Sequence, residues 1–250
     1  MLKKLKSLSK NHKGSLLTLA FKALIFSGLL YFSSAVSRWF LVIFLSAAFY
    51  FYFRSFLNSR RFLASFLVVI VVAVSSLSFI PHFSFLISLF SGFLFFLILG
   101  VKDLIFIHRQ PLYYFLNGLL LLAVFICFFA IWGVVNPLIF ALKYLTAFST
   151  VFLLLKEFLT VSVAGSIGPQ KRNLMAGGLS FGLVQLLWAI SLLPFSFLNS
   201  ASLALLAILI LEDFAVHHLS GTMSRRIILR NATLFLILSL VIFAATRWLP

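Results

Sequence analysis

Residues 112–133 read LYYFLNGLLLLAVFICFFAIWG, a run of 22 residues without a single charged side chain. A helix needs about 20 mostly apolar residues to cross the hydrocarbon core of a bilayer, so this stretch predicts a transmembrane helix. Apolar composition extends over the whole 250-residue chain, of which 63% is hydrophobic and 10% is charged. Soluble domains are only about 45–50% apolar and about 25% charged. The sequence therefore predicts an all-α, multi-pass membrane protein.

Eight further apolar runs of similar length predict about nine transmembrane helices in total. They form a single transmembrane domain over residues 15–250, preceded by a basic cytoplasmic tail over residues 1–14. The predicted spans are 15–36, 39–57, 62–80, 83–100, 112–133, 137–156, 174–194, 196–213 and 229–247.

The distribution of cations predicts the orientation in the membrane. Seventeen of the 20 Lys and Arg residues fall in the tail or beside every second connection between spans. Because cytoplasmic loops carry an excess of Lys and Arg, the N-terminus is predicted to be cytoplasmic and the C-terminus outside, in the cell membrane. This topology accounts for the net charge of +16 without a nucleic-acid partner. Anionic lipid headgroups are the expected partners of the basic face.

The four acidic residues indicate an internal repeat. They fall in three similar motifs, Val101-Lys102-Asp103-Leu104, Leu155-Lys156-Glu157-Phe158 and Leu211-Glu212-Asp213-Phe214, which are 54 and 56 residues apart. Each motif is predicted to close an even-numbered helix at the cytoplasmic edge, and a cationic stretch follows each one. A two-helix hairpin repeated three or four times, plus a last helix, explains this spacing, and parallel repeats of this kind occur in transporters.

Three polar side chains inside predicted spans are candidates for a ligand site or transport path. Lys143 lies six residues inside its span, and an intramembrane cation is costly and often functional. Snorkelling to lipid phosphates is the alternative explanation of this lysine. Asn117 and Gln185 are the other two candidates, as hydrogen-bonding groups beside a small ligand.

A second group of candidates is the polar motif predicted at the cytoplasmic face. Asp213 and His217 are four residues apart, so they share a helix face and are able to bind a divalent metal if other ligands join them. An ordinary polar helix end has the same pattern, so the sequence does not distinguish a metal site from such a helix end. The motif comprises Asp103, Arg109, Glu157, Glu212, Asp213, His217 and His218.

Gly178 and Gly182 have the G-x-x-x-G spacing that lets transmembrane helices approach closely. Packing within the chain is the first interpretation of this pair, and a homodimer or another membrane-protein partner is the second.

Three functions remain open at this stage. A small-solute or ion transporter is favoured by the spans, the repeat and Lys143. A non-catalytic subunit or scaffold of a larger complex is favoured by the polar cytoplasmic face. An enzyme acting there on a phosphate-bearing or lipid-linked substrate is the third, although no catalytic motif supports it. No cofactor is expected.

The predicted orientation is testable with reporter fusions. A reporter that works only in the cytoplasm is expected to be active when fused after residue 109. A reporter that works only outside the cell is expected to be active when fused after residue 250. If removing residues 1–13 inverts or scrambles this pattern, the basic tail serves only to set the topology. A C-terminal reporter that is active inside would contradict the count of nine spans.

Overall fold

The computed structural model is helical throughout the residues that it describes, which are 2–35, 39–54, 61–79, 83–103, 109–130, 137–163 and 168–245. Within these ranges, side chains are described from residue 16 onward, except those of Ala35, Ser78, Phe79, Arg109 and Pro137. This part of the chain forms nine helices: α1 (Leu2–Ala35), α2 (Trp39–Phe53), α3 (Leu63–Phe79), α4 (Ser84–Lys102), α5 (Arg109–Ala130), α6 (Pro137–Ser162), α7 (Pro169–Ser191), α8 (Phe197–Leu219) and α9 (Arg225–Ala245).

Seven of the described helices are long and apolar enough to cross a membrane, which confirms the prediction of a multi-pass helical membrane protein. The helices α2 and α3 are shorter, with 15 and 17 residues. At 1.5 Å per residue α2 is about 22 Å long, less than the roughly 30 Å of a hydrocarbon core. The total of nine spans and their orientation stay predictions.

Several helices extend beyond the apolar runs that predicted them. Helix α6 continues to Ser162, five residues past Glu157, and α8 continues to Leu219, six residues past Asp213. Hydropathy falls at the first charged residues, but Lys, Arg and Glu are good helix formers, so backbone hydrogen bonding continues. The acidic motifs therefore lie inside the last two turns of these helices and do not close them.

Helix α8 ends at a turn that requires glycine. Gly221 has a φ of 67°, a left-handed conformation that favours glycine. The amide of Thr222 donates to the carbonyl oxygen of His217, and the amide of Gly221 donates to that of His218. These two bonds form a Schellman motif, which satisfies the last carbonyl groups of the helix. The turn reverses the chain and leads into α9.

The chain divides into two compact units, residues 1–116 and 117–250, and the boundary falls within α5. In the first unit, α1 packs against α2 and α4, and α3 packs against α4. Aromatic rings fill the core between these helices. Phe26 stacks on Phe95 with ring centroids 4.2 Å apart, and Tyr52 stacks on Phe66 at 4.0 Å.

Helices α1 and α4 approach each other most closely at Gly92. A Cβ atom on this residue would lie 2.8 Å from the Cβ of Ser27 and 3.1 Å from the carbonyl oxygen of Ala23. Only glycine fits this contact without a shift of the backbone, and small residues are the usual means of close helix packing in membranes.

In the second unit, α7 packs against α6 and α8, and α9 packs against α8. The start of α6 meets the end of α7, where the hydroxyl groups of Tyr144 and Ser191 are 3.5 Å apart. The start of α8 likewise meets the end of α9, because the ring of Phe195, just before α8, lies 4.9 Å from the ring of Phe243. Neighbouring helices of the unit therefore run antiparallel.

Gly178 and Gly182 lie on an exposed face of α7, and, apart from their chain neighbours and the nearby backbone of α7, no atom of a described residue lies within 4 Å of the position that a Cβ would take. This face is available to lipid or to another protein. The close helix contact that the structure does show uses Gly92, which is outside a G-x-x-x-G motif.

Gly92 and Gly182 form a matched pair for substitution. Gly92→Leu is expected to destabilise the first unit by about 1–3 kcal/mol, because the new side chain overlaps α1. Gly182→Leu is expected to leave stability nearly unchanged, because its position is open. Thermal unfolding of the two variants in the same detergent measures the difference. Equal destabilisation by both substitutions would contradict the placement of α1 on α4.

Candidate functional site

A buried carboxyl group on α8 is paired with a buried amide on α5. The Nδ2 of Asn117 donates a hydrogen bond of 2.8 Å to Oε1 of Glu212. Both residues belong to the second unit, and their exposed fractions are 0% and 4%. Glu212 lies seven residues before the end of α8, and Asn117 lies eight residues after the start of α5. At 1.5 Å per residue the pair is roughly 10–12 Å inside the ends of both helices.

The Asn117–Glu212 pair is incompletely satisfied. Among the residues that the structure describes, the buried Oδ1 of Asn117 has no hydrogen-bond partner. Apolar residues surround both members along their helices: Leu120 and Leu121 follow Asn117, and Ile208 and Ala215 flank Glu212, all of them buried. A carboxyl group in such surroundings is costly and is usually kept for a function.

A second polar cluster, centred on Asp213, joins α8 to α9. Its Oδ2 accepts a hydrogen bond of 2.6 Å from Nδ2 of Asn231 and one of 3.1 Å from Nη2 of Arg230. The Nε2 of His217 lies 3.5 Å from the other carboxylate oxygen. The structure thus brings Asp213 and His217 together, as their spacing predicted. An arginine, a histidine and an amide surround the carboxylate, an arrangement that closes the α8–α9 hairpin.

The buried cation of the first unit is Lys102, the last residue of α4. Its side chain is fully buried, and its Nζ donates to the carbonyl oxygen of Tyr52. The same Nζ lies 3.2 Å from Oδ1 of Asp103 and 4.8 Å from the centre of the Tyr52 ring. A buried ion pair of this kind is sensitive to loss of either partner. Lys102 and Asp103 therefore connect α4 to the end of α2.

The two other residues predicted to lie on a ligand path, Lys143 and Gln185, are on different helices from Asn117. Lys143 is half-buried near the start of α6, and its Nζ is 4.2 Å from the centre of the Phe128 ring. This cation–π contact gives the ammonium group an aromatic partner. Gln185 lies on an exposed face of α7. Asn117 is thus the candidate that the structure joins to an acidic side chain.

The remaining polar-motif residues are dispersed. Glu157 is buried on α6, and His218 is exposed at the end of α8. The side chain of Arg109 lies outside the described residues. Among the side chains that are described, no group of three or more His, Cys, Asp and Glu residues is close enough to hold a metal ion.

Sequence patterns indicated some of these contacts and missed others. Asn231 and Arg230 were not predicted as partners of Asp213, because they lie on the next helix. Lys102 stood in the first acidic motif, next to Asp103, but neither residue type nor spacing distinguishes a buried lysine from an exposed one.

The Asp213 cluster is expected to control the stability of the α8–α9 hairpin. Asn231→Asp replaces a donor with a second carboxylate beside Asp213, so the two helix ends should repel each other. We expect faster hydrogen exchange in residues 214–230 of this variant, measured by mass spectrometry. Asn173→Asp, at an exposed position on α7, is the matched control and should leave that exchange unchanged. Unaltered protection in the Asn231 variant would contradict the contact.

Comparisons with known proteins add no relative to this picture: no family model, no curated protein and no solved structure matches the chain.

Proposed function

We propose that this chain is a transporter for a small ion or solute in the cell membrane, and that the Asn117–Glu212 pair lies on its path. The observation that carries the proposal is the buried carboxyl group of Glu212 well inside the end of α8, a helix long enough to span a membrane. Ionisable residues within transmembrane helices are rare, and they commonly mark substrate or ion pathways.

The position of the pair supports this proposal. Its two members come from helices 95 residues apart in sequence, and a site between helices is the usual arrangement in helical carriers. Lys143, near the other end of the second unit, is proposed to lie where the same path approaches the opposite side. The cation-rich helix ends are proposed to face the cytoplasm, in agreement with the distribution of Lys and Arg.

Charge movement in reconstituted membranes tests the proposal. The purified chain is placed in proteoliposomes on a solid-supported membrane and given concentration jumps of sodium, potassium, chloride, phosphate and protons in turn. We expect a transient current with at least one of these probes. Glu212→Gln should abolish that current, because the substitution removes the ionisable group on the path.

Two asparagine substitutions, one at the buried pair and one at an exposed position, provide the matched control for this experiment. Asn117→Leu should reduce the current strongly, whereas Asn173→Leu, at an exposed site on α7, should leave it unchanged. Equal currents in the wild type, Glu212→Gln and Asn117→Leu would remove the pair from the path. Silence with every probe would contradict transport of small inorganic ions.

Helix α9 favours a second candidate function, that of a non-catalytic membrane subunit. Asn231 is its one buried residue among Arg225–Ala245, and its long apolar surface is exposed beyond the contact with α8. Lipid covers such a surface by default, so a protein partner must be shown directly. Purification in nanodiscs from the native host separates the candidates, because a stoichiometric partner cross-linked to Leu240 would favour the subunit.

A further inference from the structure

Resting on the proposed transport function, we infer that the Asn117–Glu212 pair is a proton-binding site and that the transporter couples its cargo to protons. The inference starts from the hydrogen bond of 2.8 Å between the Nδ2 of Asn117 and Oε1 of Glu212. It also uses the second polar atom of the amide, Oδ1, which is buried and has no hydrogen-bond partner in the described part of the chain.

An amide is suited to pair with a carboxyl group that gains and loses a proton. The Asn117 side chain carries two N–H donors and one carbonyl acceptor, arranged in a nearly symmetric plane. With an ionised Glu212 the amide donates through Nδ2, as the structure shows. When a proton adds to the facing carboxylate oxygen, a half-turn of the amide places Oδ1 where it accepts the new O–H.

Protonation also removes the charge from the apolar part of the helix. The proton forms one O–H bond on Glu212, and the negative charge of the carboxylate is neutralised without any other reactant. The rotation uses the Oδ1 that has no partner among the described residues: it accepts the new O–H, while Nδ2 moves to the position that Oδ1 occupied. The pair therefore has a defined arrangement in each protonation state.

The number of oxygen atoms favours a proton over a metal cation. The pair offers one carboxylate and one amide oxygen, whereas hard cations such as Mg²⁺ and Ca²⁺ take about six to eight oxygen ligands. The buried neighbours Leu120, Leu121, Ile208 and Ala215 contribute no side-chain oxygen. A proton needs only one carboxyl oxygen and one hydrogen-bond partner, and the pair provides both.

Other ionisable groups lie on α8 and on the helices packed around it, and they contribute to the field at Glu212. Asp213 is held by Arg230 and Asn231, beside His217. The shown hydrogen-bond partner of Glu212 is Asn117. The remaining Lys, Arg, His and acidic side chains described on these helices are Lys143, Lys156 and Glu157 on α6, Lys171 and Arg172 on α7, His218 on α8, and Arg225 and Arg226 on α9.

Infrared difference spectroscopy of the full-length protein in nanodiscs tests proton binding without requiring transport. Acidification of the wild type is expected to produce the carbonyl-stretch band of a buried, protonated carboxylic acid. Glu212→Gln should lose this band. Asn117→Leu should shift it to higher frequency, because the acid loses its hydrogen-bond partner, while Glu157→Gln, which removes another buried acid, should leave the Glu212 band in place.

Two further comparisons keep the test decisive. If Glu212→Gln does not fold, Glu212→Asp retains a carboxyl group and should move the band instead of abolishing it. Proteoliposomes containing a pH-sensitive dye, driven by a potassium diffusion potential, then report proton flux. A band without proton flux would support the proton site and overturn the coupling of transport to protons. A sodium-driven current without any Glu212 band would support transport and overturn the proton site.

Discussion

Hydrocarbon cannot form hydrogen bonds, and this one constraint governs every part of the molecule. It makes the backbone helical, because a helix satisfies its own amide and carbonyl groups along its length. It also requires each polar side chain inside a span to find a partner within the protein or to reach an end of the helix. With only four acidic residues in the chain, the few polar contacts that exist are informative.

The two units meet this requirement differently. In the first, the buried ammonium of Lys102 lies beside the adjacent Asp103 and donates to the carbonyl oxygen of Tyr52, so the charge has a carboxylate and a carbonyl partner. In the second, Glu212 has a neutral amide as its partner, and the Oδ1 of that amide has no hydrogen-bond partner among the described residues. The first arrangement is a connection between helices, whereas the second is suited to a group whose charge changes.

Much of the fold could be predicted from the sequence because hydropathy reports directly on the solvent. The apolar run at 112–133 predicted α5, and seven helices of sufficient length were found among the described residues. Helix ends were predicted less well. Hydropathy falls where charges begin, while the helix continues until a residue such as Gly221 ends it. Because α8 continues past the apolar run to Leu219, Glu212 lies inside the helix and not at its end.

The candidate site was predictable only in part. Asn117 was recognised as a polar residue within a span, and Glu212 as a member of an acidic motif, but a distance of 95 residues hides their contact. Helix rotation decides such pairings, and it depends on packing over the whole helix. The same limitation applies to glycine: the G-x-x-x-G pair at Gly178 and Gly182 faces outward, while the close contact uses Gly92.

A double-mutant cycle on Asn117 and Glu212 measures their interaction directly. Unfolding free energies of the wild type, Asn117→Leu, Glu212→Leu and the double variant would be measured under identical conditions in detergent. Because each substitution removes the hydrogen bond that the two side chains share in an apolar environment, we predict a coupling energy of about 0.5–3 kcal/mol. Additive effects, with no coupling, would show that the two residues do not interact and would contradict the proposed site.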